Sequence, residues 1–396
     1  GEILIDNIDC WGLTMDEQRY VYVSDVVKDE VRRYKLGEKN YTLVAGGNDE
    51  GDGLNQLNGP THLFVDRDHS VYVSDYWNHR VMKWNKDATE GIVVAGGQGA
   101  GNALTQLPYP YGLFVDRMVN IPANAKWKQN GVTVVGGNGL GSATNQLNSP
   151  FGLFVDDDQT VVIADWGNHR IMQWKTGDTR NGQVVAGGNG YGNGLHQLNS
   201  PSDVLIDKET NGLIICDWGN DRVVRWSRRS GATQGEILID NIRCWGLAMD
   251  EQRYLYVSDA GKDEVRRYQL GEKNGTLVAG GNGEGDELNQ LNSPAYLFVD
   301  RDHSVYVSDR YNHRVMKWVE GAKEGIVVAG GQGQGSALTQ FNDPNGLFVD
   351  TLGTLYVADS WNYRVMRWTQ GAKQGTVIVG GNGQGAGANQ LKYPRG

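Results

Sequence analysis

One segment returns eight times along this chain, and that recurrence limits what it can fold into more than any other feature. Tyr111-Gly-Leu-Phe-Val-Asp116 is repeated as Phe151 to Asp156 and Asn345 to Asp350, with looser copies ending at Asp16, Asp66, Asp207, Asp250 and Asp300. Successive copies are separated by 50, 50, 40, 51, 43, 50 and 50 residues. That period is too long for paired-helix repeats and suits a unit made of one small sheet. Dividing 396 residues into domains by length alone therefore fails, because such units bury their apolar faces against one another.

Each full copy continues in the same way. A second strand such as Ser70-Val-Tyr-Val-Ser-Asp75 leads through the turn Tyr76-Trp-Asn-His79 to a third strand, Arg80-Val-Met-Lys-Trp84, and a fourth, Gly91-Ile-Val-Val-Ala95. The segments are short, rich in β-branched and aromatic residues and punctuated by Gly, Asn and Asp, which is strand chemistry. The first strand, as in Leu153-Phe-Val155, is apolar on both faces and so belongs between neighbouring sheets. Gly12, Gly112, Gly152, Gly246 and Gly346 precede it, and a missing Cβ lets backbones converge on an axis. The expected fold is all-β, a β-propeller of four-stranded antiparallel blades spanning residues 1–396 as one domain.

The turn Asp75-Tyr-Trp-Asn78-His79-Arg80 returns at Asp165 to Arg170, Asp217 to Arg222, Asp309 to Arg314 and Asp359 to Arg364. Asp25-Val-Val-Lys-Asp29 and Asp259-Ala-Gly-Lys-Asp263 depart from it. On these five in-register copies the chain resembles the NHL-repeat family of β-propellers over essentially its whole length. The motif itself reads as structural: Asn tolerates a left-handed turn, and the flanking Asp and Arg can bridge the hairpin. The resemblance implies an interaction platform; some members sense extracellular ligands, and others bind RNA through a basic face. With 47 acidic against 37 basic residues, a net charge of −10, nucleic acid is a poor partner for this chain, although Arg225, Arg228 and Arg229 form a local basic patch. No apolar run approaches the roughly 18 residues of a membrane span.

Residues 1–25 and 235–259 differ only at Asp9/Arg243, Thr14/Ala248 and Val21/Leu255, so a block of five repeats was copied and the order is A-B-C-D-E-A-B-C. The third copy is short, with Ile121-Pro122-Ala123 where a second strand belongs. Proline there would remove a ladder donor. The chain opens on a fourth-strand segment, Gly1 to Asp6, and ends at Tyr393-Pro-Arg-Gly396, where a new first strand would begin. It is thus either one strand over or a fragment of a longer array. Eight blades with a defective third is the expected ring, and a six-bladed ring or an open array is the alternative.

Candidate chemistry is sparse. His79, His169 and His313 share one repeat position, His69 and His303 another, and only His62 and His196 are unique. No catalytic, cofactor-binding or metal-binding residues are assigned. Recent duplication favours a scaffold, because a catalytic site needs unlike residues at unlike positions. The Gly-rich loops, such as Gly96 to Gly101, open no helix, so they read as connectors needing positive φ rather than phosphate cradles. Calcium is the one cofactor with candidate ligands, at Gly46 to Asp52 or Asp156-Asp-Asp158, against a reading as solvated acidic turns. Cys10, Cys216 and Cys244 are too few and scattered to suggest a disulfide framework.

Tryptophans fall into two sets. Trp84, Trp174, Trp226, Trp318 and Trp368, with Tyr34 and Tyr268, close the third strand and should form core between blades. Trp77, Trp166, Trp218 and Trp361 lie in the turn after the second strand and are the candidate partner-binding residues. Asn40 and Asn274 head acceptor triplets for N-glycosylation, which point towards secretion. The functional expectation is a non-enzymatic scaffold that binds a protein or other ligand through aromatics on one face. The alternative is a metal-dependent lyase or hydrolase at the central channel.

Overall fold

The computed structural model describes all residues except 1–4, 6–7, 17, 37, 39, 67–68, 102–105, 111–120, 122–124, 157, 176–180 and 229–231. The chain falls into two compact units, Gly1–Arg117 and Met118–Gly396. The first contains β1 (Cys10–Met15), β2 (Tyr20–Asp25), β3 (Glu30–Lys35) and β4 (Tyr41–Gly46), then β5 (Pro60–Val65), β6 (Val71–Asp75), β7 (Arg80–Trp84) and β8 (Ile92–Gly96). The second opens with β9 (Pro150–Val155), β10 (Val161–Asp165), β11 (Arg170–Trp174) and β12 (Gln183–Gly187), followed by β13 (Pro201–Asp207), β14 (Gly212–Asp217), β15 (Arg222–Ser227) and β16 (Glu236–Asp240). It continues with β17 (Cys244–Met249), β18 (Tyr254–Asp259), β19 (Glu264–Gln269) and β20 (Thr276–Gly280), then β21 (Pro294–Val299), β22 (Val305–Asp309), β23 (Arg314–Trp318) and β24 (Ile326–Gly330). Last come β25 (Pro344–Val349), β26 (Leu355–Asp359), β27 (Arg364–Trp368) and β28 (Thr376–Gly380). Each consecutive set of four is one antiparallel sheet paired in chain order, seven sheets among the described residues.

The copy number leads to the expectation of eight blades in one ring; the structure has seven four-stranded sheets, two in one unit and five in the other. The third copy accounts for the difference. Its first strand, Tyr111–Asp116, and Pro122-Ala123 lie outside the described residues. Its flanks are divided between the units. Within the first, the Tyr109 ring sits 4.6 Å from His79 and the Pro110 carbonyl accepts a bond from Thr61 Oγ1 at 3.4 Å. Within the second, Trp127 lies 5.9 Å from Tyr356, and Gly131 N donates to Ala388 O at 2.7 Å.

In the second unit the first strands β9, β13, β17, β21 and β25 are neighbours in that order. A sixth place lies between β25 and β9. Its inner side is taken by the C-terminal residues: Gly346 N donates to Arg395 O at 2.5 Å, and a Cβ on Gly396 would lie 2.9 Å from Phe151 O. Its outer side is taken by the third copy, where Val135 and Leu147 pack on Ile163, Met172 and Trp174. The second unit therefore has six places around its axis, five of them four-stranded sheets.

Apolar cores form between sheets, as the two-faced first strands require. Trp84, Trp174, Trp226, Trp318 and Trp368 are buried there, as are Tyr34 and Tyr268. The first-strand glycines are needed for a steric reason. A Cβ at Gly12 would come within 2.2 Å of Thr61 O on the next inner strand, and one at Gly346 within 2.4 Å of Arg395 O. Buried serines one residue before the turn Asp peg three of the sheets to the next. Ser24 donates to Thr61 O at 2.7 Å, Ser258 to Ala295 O at 2.6 Å and Ser308 to Asn345 O at 2.5 Å.

Candidate functional site

The repeated turn is a rigid bracket. Asp75 Oδ1 accepts from Asn58 N at 2.7 Å, and its Oδ2 accepts from Asn78 Nδ2 at 2.9 Å and Arg80 Nε at 2.6 Å. Arg80 then donates to the carbonyls of Asp52 and Gly53 in the preceding Gly-rich loop, at 2.7 and 2.9 Å. The same set is built on Asp165/Arg170, Asp217/Arg222, Asp309/Arg314 and Asp359/Arg364. Burial outweighs pairing in four of these, holding the carboxyls of Asp75, Asp217, Asp309 and Asp359 above the ordinary range. In the two divergent copies Arg32 and Arg266 pair with Glu30 and Glu264, and Arg32 also reaches the turn carboxylate of Asp25 at 3.1 Å. The left-handed residue is the one after Asn, namely His79, His169, Asp221, His313 and Tyr363, so the expectation that Asn itself takes that conformation is corrected. Three of these histidines tie the turn to the next connector. Their Nδ1 atoms accept the N–H of Tyr109, Ser200 and Asp343, at 3.2, 3.0 and 3.4 Å.

The four candidate tryptophans occupy two different places in this bracket. Trp77 and Trp361 stand two residues after the Asp, with Tyr311 at the same place, and are 57%, 48% and 56% exposed. Trp166 and Trp218 stand one residue after it and turn inwards. They gather with Phe151 and Trp245 into one aromatic cluster in the second unit: Phe151 stacks on Trp166 at 4.6 Å, Trp166 meets Trp218 at 5.0 Å, and Trp245 lies 5.8 to 6.1 Å from all three. The structure therefore brings Trp166 and Trp218 together, whereas Trp77 and Trp361 belong to different units. Arg310, at the inward place of its own turn, sits 4.8 Å over Trp245 and pairs with Asp343. Arg395 covers Phe151 at 5.1 Å and reaches the same carboxylate at 3.2 Å. Burial pulls the Arg395 guanidinium below its ordinary pKa.

Beside this cluster, an axial cavity of about 510 Å³ is lined by all five inner strands and Gly396. The third residue of the inner segment is Gly152, Gly246, Gly346 and Gly396 at four of the six places, and Asp203 and Tyr296 at the other two. The buried Asp203 carboxylate accepts from Leu247 N at 2.8 Å and Val204 N at 2.9 Å. Desolvation outweighs both bonds and pushes its pKa up to about 7. Tyr296 donates its hydroxyl to Ser202 O at 3.2 Å, and burial holds that phenol well above its usual value. The cavity walls are apolar, with Leu153, Leu247, Leu297 and Leu347 at one level. Its other end reaches Asp207 and Asp250, where the inner strands turn back into the second ones.

The sequence profile of the NHL repeat matches residues 341–367, which span β25, β26 and the bracket on Asp359. Residues 341–367 are thus an NHL repeat. No curated protein matches it in sequence. Among solved structures, a Bacteroides thetaiotaomicron VPI-5482 protein of unknown function is similar at a TM-score of 0.56 and 17% identity, covering 99% of this chain and 94% of that one. A nidogen/laminin complex gives 0.48 at 14% identity over 80% of this chain and 94% of that one. A virginiamycin B lyase from Staphylococcus aureus bound to quinupristin gives 0.39 at 13% identity over 90% and 94%. At these identities the likeness concerns the fold alone.

The structure also places the other residues singled out in the sequence. Cys216, at the end of β14, is disulfide-bonded to Cys244, at the start of β17, across a Cα separation of 5.3 Å. The expectation of no disulfide is thereby corrected for this pair; the position of Cys216 is the one from which Ser24, Ser258 and Ser308 reach the next inner strand. Cys10 is exposed and forms no disulfide. Asn40 and Asn274 are both exposed. In the calcium candidates, Glu50 accepts from Asn58 Nδ2 at 2.9 Å and Asp156 pairs with Arg228 at 3.0 Å; Asp157 is outside the described residues. The basic patch is neutralised likewise, Arg225 by Glu236 and Arg228 by Asp156, with Arg229 outside the described residues. Among the described residues no three His, Cys, Asp or Glu side chains converge as metal ligands, and no helix is long and apolar enough to cross a membrane. Sequence reasoning misses the inward residues Asp203, Trp245, Tyr296, Arg310 and Arg395. Their signal lies in departures from the glycine pattern and in counting positions from the turn Asp.

Proposed function

We propose that this chain is a non-enzymatic binding module that takes a protein or other ligand through aromatics presented on the turns after its second strands. One observation carries the reading. The bracket holds two neighbouring turn residues in opposite roles, packing the first inwards and leaving Trp77, Tyr311 and Trp361 outwards. Large aromatics fixed on rigid turns lose little entropy on binding and make good anchors. The disulfide between Cys216 and Cys244 and the exposed acceptor triplets support an extracellular setting. A lyase or hydrolase dependent on a metal would need a ligand set at the channel, and the described residues supply none that converges.

The test uses the full chain, immobilised, with the Tyr311→Ala/Trp361→Ala double variant beside it. Proteins captured from the extracellular fluid of the source are quantified by mass spectrometry. The reading predicts that specific captured species are lost from the variant while its circular dichroism is unchanged. Equal capture by both would overturn it.

A further inference from the structure

The axial cavity of the second unit runs from the level of Asp203 and Tyr296 to that of Asp207 and Asp250. The aromatic cluster of Phe151, Trp166, Trp218 and Trp245 adjoins the level of Asp203 and Tyr296, since Phe151 and Trp245 immediately precede Gly152 and Gly246 of that level. Glycine at the other four places of that level leaves the lumen clear, so among the described residues Asp203 is the one charged side chain lining that level. Each of its oxygens takes a single backbone N–H. A carboxylate has about four acceptor sites, so hydrogen-bonding capacity is left over in an apolar chamber, where an unneutralised charge is costly. The opposite end carries Asp207, Glu209, Asp250 and Glu251 against Lys208 and Arg253. That excess of negative charge favours entry of cations. The volume of about 510 Å³ falls inside the roughly 300 to 1,000 Å³ of small-molecule sites.

We infer that this cavity binds a small organic amine, its apolar body against the inner-strand leucines and its ammonium on the Asp203 carboxylate. The site is separate from the outward turn aromatics and stands without them. A charge-assisted bond in this setting replaces bulk hydration of the ammonium, and the surrounding leucines contribute the remaining affinity through area removed from water.

Three probes of equal length separate the elements of this claim. Isothermal titration of the full chain with 4-phenylbutylamine, 4-phenylbutan-1-ol and 4-phenylbutyrate should rank them in that order, the amine about tenfold tighter than the alcohol. Asp203→Asn should bring the amine to the level of the alcohol. Leu297→Trp, which fills the wall, should weaken all three. Equal affinity of amine and alcohol for the native chain, no amine binding, amine preference surviving in Asp203→Asn, or unchanged binding in Leu297→Trp would each overturn the proposal. The ranking on the native protein needs no variant, so a folding defect in Asp203→Asn leaves the decision intact. Protein capture through Tyr311 and Trp361 should be the same in Asp203→Asn, which keeps the two sites experimentally distinct.

Discussion

Strands β1 and β17 are nearly the same sequence, Cys-Trp-Gly-Leu-Thr-Met and Cys-Trp-Gly-Leu-Ala-Met, yet they live in different surroundings. Trp11 is 50% exposed and Trp245 8%; Leu13 is 67% exposed and Leu247 8%. Cys10 is an exposed thiol, whereas Cys244 is disulfide-bonded. Both strands pair with their own second strand in the same direction. The difference is the sheet β13–β16, which packs against β17 and β18 through Leu205, Ile214 and Cys216 on one side and Leu247 and Leu255 on the other. A first strand in this repeat is therefore made apolar on both faces by its own sequence but buried only by the sheet before it. One of the three substitutions between the copies marks that contact: Arg243 reaches Asp221 of the preceding sheet at 3.3 Å, and Asp9 stands in the other copy.

Paired substitutions break this comparison most strongly at the tryptophans. Trp245→Ala should cost about 3–5 kcal/mol in denaturant unfolding of the second unit. Trp11→Ala should cost less than about 1 kcal/mol. Equal costs would show that the first strand of the first unit is covered after all. The cysteines come next: Cys244→Ser should lose about 2–4 kcal/mol under oxidising conditions, and Cys10→Ser close to nothing. Addition of reductant should remove the difference between Cys244→Ser and the native chain.

A pH effect isolates the covering sheet itself. The Asp203 carboxyl is raised to about 7 in the folded chain from an ordinary value of 3.8, so between those values the folded state holds a proton that the unfolded state has lost. Stability contributed by this group is full below about pH 4 and declines as pH rises to about 7, on the order of a few kcal/mol in all. Thermal melts at pH 5 and pH 8 should differ less for Asp203→Asn than for the native chain; an unchanged difference would reject a raised carboxyl pKa. The smallest effect concerns the exposed pair. Arg243→Asp, which rewrites β17 towards β1, should cost less than about 1 kcal/mol, because the partner Asp221 is itself half-exposed.

Much of this fold can be read from the sequence because the repeat displays each residue several times over. The four strands, the buried tryptophans at their third-strand ends and the inner-strand glycines all follow from period and residue type. The division between the two Trp pairs is less legible. Trp77 and Trp166 differ by one position after the turn Asp, and only the bracket of Asp, Asn and Arg shows that this step reverses the side chain. The Cys216–Cys244 bond is hidden for another reason: it joins the end of one second strand to the start of the following inner strand, positions adjacent only after sheets are stacked. Asp203 and Tyr296 break a glycine pattern visible in the sequence, but their depth in the channel depends on six places meeting around one axis. The third copy shares itself between two units, a property of packing that its shortened length does not disclose.

Hydrogen exchange followed by mass spectrometry tests most directly the claim that burial here is conferred by the neighbouring sheet. Peptides covering β1 and β17 have almost the same intrinsic exchange rates, so their protection can be compared without correction. The account predicts that β17 amides exchange far more slowly than those of β1. Equal protection of the two strands would contradict it.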